Sequence, residues 1–201
     1  MKISDKQKKW DAIYQKSAEG EYTAVRVLQE NQHLLPKDGN ALELACGMAA
    51  NAAFLAQHGL NTTAWDISEV VVERLKESPA MKGLPITFEA RDIVQQPPGA
   101  ALFDVIVVSY FLDRSLIPHI KRALKPSGLI FYQTFTQTYV NEGGPRSRNF
   151  RLADNELLQL FGDYQVLVYR EEGCVGEHQQ GYRDEALIVA QKPVASELLV
   201  M

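Results

Sequence analysis

Residues 42–51 constrain the fold of this chain more than any other part of the sequence. A short apolar segment at residues 40–44 runs into a turn of small residues around Gly47, and a run of helix-forming residues starts at Ala50. A strand, a small-residue turn and a helix in direct succession present backbone N–H groups and a helix N-terminus to a ligand at the carboxyl end of the strand. The sequence therefore predicts an α/β sheet with a ligand site over this turn.

Strand and helix patterns alternate along the rest of the chain. Residues 103–109 are almost continuously apolar and β-branched, which is typical of a central strand buried on both faces. Residues 164–169 and 185–191 have no helix between them and are predicted to pair as an antiparallel hairpin. Further strands are predicted at residues 41–44, 62–65, 85–89 and 129–135, and helices at residues 50–57, 68–76, 116–124 and 153–161. The predicted fold class is α/β: a doubly wound, Rossmann-like sheet of seven strands, mostly parallel, made of five strand–helix units and the C-terminal antiparallel hairpin.

The length of 201 residues suits a single domain with a sizeable core. We expect N-terminal helices in residues 1–35, an α/β core in residues 40–192, and a tail in residues 193–201 whose role the sequence does not indicate. Residues 137–151 form a long connection, and connections of that length are usually functional lids or disordered segments.

Two helices are predicted before the first strand. Residues 1–20 have Trp10, Ile13 and Tyr14 on one helical face, so this helix either caps the core or covers a ligand with its aromatic side chains. A second helix is predicted at residues 22–31.

Composition excludes several classes of function. The net charge of −4 provides no positive field that would attract a nucleic-acid backbone. The two cysteines form no disulfide framework, and no Cys/His cluster has the spacing of metal ligands. The polar N-terminus lacks the apolar core of a signal peptide, and no apolar run approaches the roughly 20 residues that span a bilayer. We therefore expect a cytoplasmic protein that acts on a small molecule, without nucleic acid, membrane or metal, and either monomeric or homodimeric.

The residues around the turn discriminate between nucleotide ligands. Ala49 stands where a dinucleotide-binding turn has its second glycine, and its Cβ hinders the approach of a diphosphate. Asp66 follows Glu43 by 23 residues at the end of the second predicted strand, the usual distance for a carboxylate that binds ribose hydroxyls. Asp92, at the end of the third strand, is suited to an adenine amino group. This set favours a positively charged nucleoside without phosphate.

Five segments, in this order, resemble the motifs of class I S-adenosylmethionine (SAM)-dependent methyltransferases: residues 43–47, Asp66, and residues 91–93, 103–109 and 124–128. The resemblance covers roughly residues 10–192 and implies SAM as cofactor and S-adenosylhomocysteine as product. Gly176, His178 and Arg183 lie in a segment similar to bacterial tellurite-resistance-type methyltransferases. Since the family usually has glycine at the position of Ala49, we expect SAM binding to be tolerated but weakened.

The predicted cofactor site follows from the motif positions and the strand ends. Asn51 is expected either to cap its helix or to contact the cofactor carboxylate, and Cys46 to form a wall rather than act as a nucleophile. The expected cofactor-binding residues are Glu43, Ala45, Cys46, Gly47, Asn51, Asp66, Ile67, Asp92, Ile93, Ser109 and Tyr110.

No catalytic residue is identified from the sequence. Arg114, His178 and Arg183 are candidates for a cationic acceptor pocket, with a solvated surface position as the alternative for each. No pair of side chains that could act as a general base is evident near the site. We therefore expect a small acceptor that is soft or already anionic and needs no proton removed. A non-catalytic SAM-binding or sensing protein is the alternative, supported by Ala49. An NAD-dependent oxidoreductase is disfavoured by that same residue and by the hairpin.

Overall fold

A computed structural model of the chain describes residues 4–17 and 22–194. Its sheet contains β1 (Asn40–Leu44), β2 (Asn61–Asp66), β3 (Ile86–Ala90), β4 (Phe103–Ser109), β5 (Leu124–Phe135), β6 (Gln165–Arg170) and β7 (Glu185–Gln191). The strands lie in the order β3-β2-β1-β4-β5-β7-β6. The first five strands are parallel, whereas β7 is antiparallel to both β5 and β6. The predicted seven-stranded, mostly parallel sheet with a C-terminal hairpin is confirmed.

The described helices are α1 (Asp5–Lys16), α2 (Arg26–Glu30), α3 (Ala50–Gln57), α4 (Glu69–Glu77), α5 (Ile117–Ala123) and α6 (Glu156–Leu160). Side chains alternate across the sheet: Leu42 and Ile106 pack into one apolar layer, and Ala41 and Val105 into the other. Both faces of the central strands are therefore buried, which explains their continuous apolar sequence. Of the helices in residues 4–17 and 22–194, none is both long and apolar enough to cross a bilayer.

Three predicted boundaries were wrong. The second helix begins at Arg26, because Val25 is extended and its N–H is bonded by a side chain rather than by a helical turn. Strand β5 begins at Leu124 instead of residue 129, since the segment first pairs with Phe103 and then continues through an irregular step in register. Helix α6 spans only Glu156–Leu160, as the left-handed Asn155 precedes it.

The connection between β3 and β4 also differs from the expected five strand–helix units. The described chain has turns and no helix there, with the Gln96 N–H bonded to the Asp92 carbonyl and two prolines following. Proline lacks the N–H that a helix interior requires. Predictions for residues 1–3, 18–21 and 195–201, including most of the tail, lie outside the described residues.

The long connection after β5 is organised around Arg151. This arginine is buried, and its guanidinium donates hydrogen bonds to the carbonyls of Thr136, Gly143 and Pro145. It also stacks 4.1 Å from the ring centre of Tyr139. A buried cation needs partners that satisfy its donors, and here the loop supplies them with its own backbone. The loop is thus folded around one side chain.

Candidate functional site

The turn between β1 and α3 contains three left-handed residues. Ala45, Gly47 and Ala49 have φ angles of 53°, 51° and 57°. Only glycine adopts this conformation without cost, and an L-residue there loses about 1–2 kcal/mol. The two alanines therefore hold strain inside the small-residue turn. Such strain is typical of functional loops held in place by their surroundings.

Glu43 and Asn51 hold the turn from beneath. The Glu43 carboxylate accepts hydrogen bonds from the Asn51 side-chain amide at 2.7 Å and from the Ala52 N–H at 2.8 Å. Asn51 also donates to the Ser109 hydroxyl at 3.0 Å and accepts the Val25 N–H at 2.8 Å. Asn51 thus joins α3, β4 and the segment before α2 and does not cap its own helix, so that option of the prediction was wrong.

Asp66 connects the end of β2 to the turn. It is buried, and its two carboxylate oxygens accept the N–H groups of Gly47 at 2.9 Å and Ser68 at 3.0 Å. Ile67, half-buried, separates Asp66 from Ser68. Each oxygen of a carboxylate can accept a second hydrogen bond, so Asp66 keeps acceptor capacity beyond these contacts.

The electrostatic surroundings of the turn are acidic. Burial raises the pKa of Glu43 to about 8, and Asp66 adds to the shift. Burial also raises the pKa of Asp66, with Asp11 contributing. The pKa of the Cys46 thiol is raised by burial and by Glu43 and Asp66, so the thiol stays protonated at neutral pH and forms a wall of the turn. The charged groups that raise these three pKa values are all carboxylates.

Asp92 lies at the third strand end, as expected. Its Oδ1 accepts the N–H groups of Val94 at 3.1 Å and Gln95 at 3.3 Å, the local bonding typical of a turn aspartate. Ile93 is buried in the apolar layer. These contacts define a turn role for Asp92, and its contact with an adenine group stays a prediction.

Helix α1 lies across the turn and contributes Tyr14. The Tyr14 hydroxyl oxygen is 3.0 Å from the point where a Cβ on Gly47 would stand. Asp11 accepts the Ser68 hydroxyl at 2.6 Å, and Arg74 donates to the Tyr14 carbonyl at 2.9 Å. Trp10 is 42% exposed and does not cap the core. Of the two predicted roles for this helix, the geometry favours a cover over the turn.

A second group of polar side chains lies beside Ser109, and Tyr110 is its only member in the predicted site. Tyr110 follows β4 in a left-handed conformation with φ of 53° and remains 52% exposed. The Gln133 amide donates to Glu185 Oε2 at 2.5 Å, and the hydroxyls of Tyr182 and Tyr110 donate to the same oxygen at 3.2 and 3.5 Å. We name Tyr110, Gln133, Tyr182 and Glu185 the Glu185 cluster. Tyr110 and Gln133 lie 75 and 52 residues from Glu185 in sequence, and no local motif indicates their contact.

The three candidate cations are engaged elsewhere. Arg114 forms an ion pair with Glu156, with nitrogen–oxygen distances of 2.5 and 2.8 Å. Arg183 donates to backbone carbonyls of its own loop, those of Gly173, Glu177 and Gln180 at 2.9, 2.9 and 2.7 Å. His178 is exposed and contacts the Cys174 carbonyl at 2.9 Å. The structure does not bring these three side chains together as an open pocket.

Comparison with known proteins extends these observations. Residues 41–128 match a family described as "Methyltransferase domain". A ubiquinone biosynthesis O-methyltransferase of Coxiella burnetii is 26% identical over 120 residues, which cover 57% of this chain and 51% of the relative. A probable S-adenosyl-L-methionine-dependent methyltransferase TehB of Haemophilus influenzae is 28% identical over 140 residues, 65% of this chain and 47% of the relative. The chain spans about half the length of the curated relatives it matches.

TehB of Haemophilus influenzae is also among the solved structures that have a similar fold. The crystal structure of TehB from Haemophilus influenzae superposes with a TM-score of 0.66 and 24% identity, covering 85% of this chain and 63% of that chain. At this level of identity the superposition shows a common fold, and the site must be argued from its own residues.

Proposed function

We propose that the chain is a class I SAM-dependent methyltransferase, which transfers the methyl group of SAM to a small-molecule acceptor. The observation that carries the proposal is the acidic, left-handed turn after β1, joined to the end of β2 by the bond between Gly47 and Asp66. The whole protein's activity is argued from this site, because the alignments cover only about half of each relative's length.

The chemistry of the turn supports SAM over a phosphate-bearing cofactor. Asp66 is a buried carboxylate bonded to the turn, and a diphosphate brought against it would meet like charge. SAM carries positive charge on its sulfonium and its ammonium group, which this carboxylate attracts. The spare acceptor capacity of Asp66 is suited to ribose hydroxyls, as in other adenosyl-binding folds.

We assign the cofactor contacts as follows. The backbone of Ala45, Cys46 and Gly47 would line the methionine portion, Asp66 with Ile67 the ribose, and Asp92 with Ile93 the adenine. Ser109 and Tyr110 would border the methyl group from the end of β4. Glu43 and Asn51 would position the turn, since their side chains are bonded to the protein itself.

The protein's part in the reaction is mainly positioning. When bound, SAM supplies an electrophilic methyl group on a positively charged sulfur, and S-adenosylhomocysteine is the product. The strained turn holds the cofactor pocket rigid, and α1 excludes water from above it through Tyr14. Holding the nucleophile, methyl carbon and sulfur in line accounts for roughly 7–11 kcal/mol of such a barrier.

The acceptor is proposed only by class. The class expected from the sequence, a soft or anionic acceptor such as a thiolate or a tellurium oxyanion, needs no base. It would need Arg183 to release the loop carbonyls that it now bonds. If Arg183→Ala leaves the turnover of every anionic acceptor unchanged, the cationic pocket is wrong.

A second candidate function is SAM binding without catalysis. Ala49 supports it, because a buried Cβ stands in a left-handed turn position where the family usually has glycine. Calorimetry with SAM, S-adenosylhomocysteine and NAD tests the cofactor directly, and we expect micromolar binding of the first two only. Absence of SAM binding by the purified protein would refute both candidates, whereas binding without methylation of any small molecule would favour the second.

A further inference from the structure

The Glu185 cluster lies at the same edge of the sheet as the proposed cofactor site. Tyr110 directly follows Ser109, whose hydroxyl is bonded to Asn51 beneath the glycine turn. Glu185 begins β7 and pairs with Phe135 at the carboxyl end of β5. Ligands of open α/β sheets bind outside the carboxyl ends of the strands, so this cluster faces the region where an acceptor would enter.

Resting on the proposed function, we propose that Glu185 is the catalytic base of the reaction and that the acceptor is a small molecule with an acidic hydroxyl, of the phenol or enol class. The sequence-based expectation was an acceptor without a proton to lose. The structure instead provides a carboxylate at the carboxyl end of β5, held by three donors.

The hydrogen bonds of Glu185 leave one oxygen for the acceptor. All three bonds that it accepts from described residues end on Oε2. Gln133 is itself fixed, because it is fully buried and accepts the Val27 N–H at 2.8 Å. The carboxylate is therefore oriented, with Oε1 outside this bonding pattern. Preorientation of the base is what general-base catalysis requires of its geometry.

The cluster already holds phenols. Two of the three donors to Glu185 are tyrosine hydroxyls, which have the same chemistry as the proposed acceptor. The half-exposed ring of Tyr110 offers a flat apolar face beside the carboxylate, and its other neighbour is Phe135, 5.1 Å away between ring centres. A planar acceptor that stacks on Tyr110 would bring its hydroxyl towards Glu185.

The proton and electron balance of the step is simple. The acceptor oxygen forms a bond to the methyl carbon while the carbon–sulfur bond breaks. The electron pair of the broken carbon–sulfur bond stays on the sulfur, which becomes neutral. The hydroxyl proton passes to the Glu185 carboxylate, which later loses it to water. The products are the methyl ether and S-adenosylhomocysteine.

Other charged and titratable groups surround the cluster. Arg26 of α2 and Arg170 of β6 lie 4.8 and 5.5 Å from the ring centre of Tyr182. Burial and the Glu185 carboxylate raise the pKa of Tyr110 to about 12, so this hydroxyl remains a donor at neutral pH. The two tyrosines thus stabilise the charged carboxylate without competing for the acceptor proton.

The test compares Glu185→Gln with the wild type on two acceptor sets, catechol and caffeate against dithiothreitol and selenite. We expect wild-type methylation of a phenol, a loss of at least about 100-fold in kcat for that phenol in Glu185→Gln, and unchanged SAM affinity. The acid limb of the wild-type pH–rate profile should disappear in the variant. Glu177→Gln, an exposed carboxylate on the preceding loop, is the matched control and should behave as wild type.

Tyr110→Phe provides a second variant that keeps the carboxylate. Removal of one of the three donors loosens the orientation of the Glu185 carboxylate, so kcat for phenols should fall relative to kcat for the soft acceptors. The proposal is overturned if phenols are methylated equally by Glu185→Gln, if Tyr110→Phe lowers kcat for phenols no more than for the soft acceptors, or if only the soft acceptors react. In that last case the methyltransferase function stands. Failure of every acceptor, with SAM bound, overturns the base and the catalytic function together.

Discussion

The Asp66 carboxylate accepts the N–H of Gly47 at 2.9 Å, and this bond joins the end of β2 to the turn after β1. The two strands are neighbours in the sheet, so a single buried side chain fixes the relative position of two parts of the proposed cofactor site. Asp66 therefore holds the turn, and in the proposed cofactor site it would also offer acceptors to a ribose.

Asp66→Asn should weaken SAM binding by about 10- to 100-fold, since an unpaired buried polar group costs about 1–3 kcal/mol. Asparagine has one acceptor oxygen, so its amide would face the N–H of Gly47 or Ser68. Calorimetric titration with SAM measures the effect. Asp163→Asn, at an exposed position, serves as control, and equal affinities for the two variants would contradict the assignment.

Ala49→Gly should strengthen SAM binding several-fold. The substitution relieves the left-handed strain of about 1–2 kcal/mol but removes a buried methyl group worth about 0.8 kcal/mol, so stability should change little. Ala101→Gly is a matched control, because Ala101 is also left-handed, with φ of 52°, but lies exposed on the loop before β4. An unchanged SAM affinity in Ala49→Gly would mean that this Cβ does not hinder the cofactor.

Glu43 should make stability depend on pH. Its pKa is raised from 4.5 to about 8 by burial, so the folded state holds its proton more tightly than the unfolded state. This contribution is fully present below the unfolded pKa and is lost as pH rises through the folded pKa, up to about 5 kcal/mol. Urea unfolding between pH 5 and pH 8 should show the decline in wild type and in the exposed control Glu73→Gln, and a smaller decline in Glu43→Gln. Parallel curves of stability against pH for all three proteins would contradict the assignment of this pH dependence to Glu43.

Asp11→Ala should loosen α1 without unfolding the core. No described residue of α1 is fully buried, so its position depends on polar contacts such as the bond from Ser68 to Asp11 at 2.6 Å. Hydrogen exchange in α1 should become faster, and SAM dissociation should accelerate by several-fold, because Tyr14 no longer stays over Gly47. Gln15→Ala, on the exposed face, is the control. A cover role is excluded if Asp11→Ala dissociates SAM at the wild-type rate.

Local sequence patterns predicted the centre of the fold well. Strand β4 at Phe103–Ser109 and helix α3 at Ala50–Gln57 have the predicted bounds, since each depends on a run of residues with one strong preference. The antiparallel hairpin was predicted from the absence of a helix between its two strands. The start of α2 could not be predicted from local sequence patterns. The side chains of Asn51 and Gln133, both distant in sequence, accept hydrogen bonds from the N–H groups of Val25 and Val27.

The site was predictable only where a motif is contiguous. The turn around Gly47 and the strand-end Asp66 could be found by spacing, whereas Glu185 contacts Tyr110 across 75 residues of sequence. The left-handed conformation of Ala45 and Ala49 could not be predicted from the sequence, because alanine rarely adopts this conformation and glycine is the residue that usually indicates it. Tertiary contacts of single side chains carry no periodic pattern.

The central claim is methyl transfer from SAM to a small acceptor, and formation of S-adenosylhomocysteine tests it most directly. The purified protein, incubated with SAM and the phenol and soft acceptor sets, should form S-adenosylhomocysteine and methylated product in equal amounts, measured by mass spectrometry. Asp66→Asn should form less of both at SAM concentrations below saturation. If no acceptor yields S-adenosylhomocysteine above the enzyme-free level, methyl transfer by this chain to these acceptor classes is contradicted.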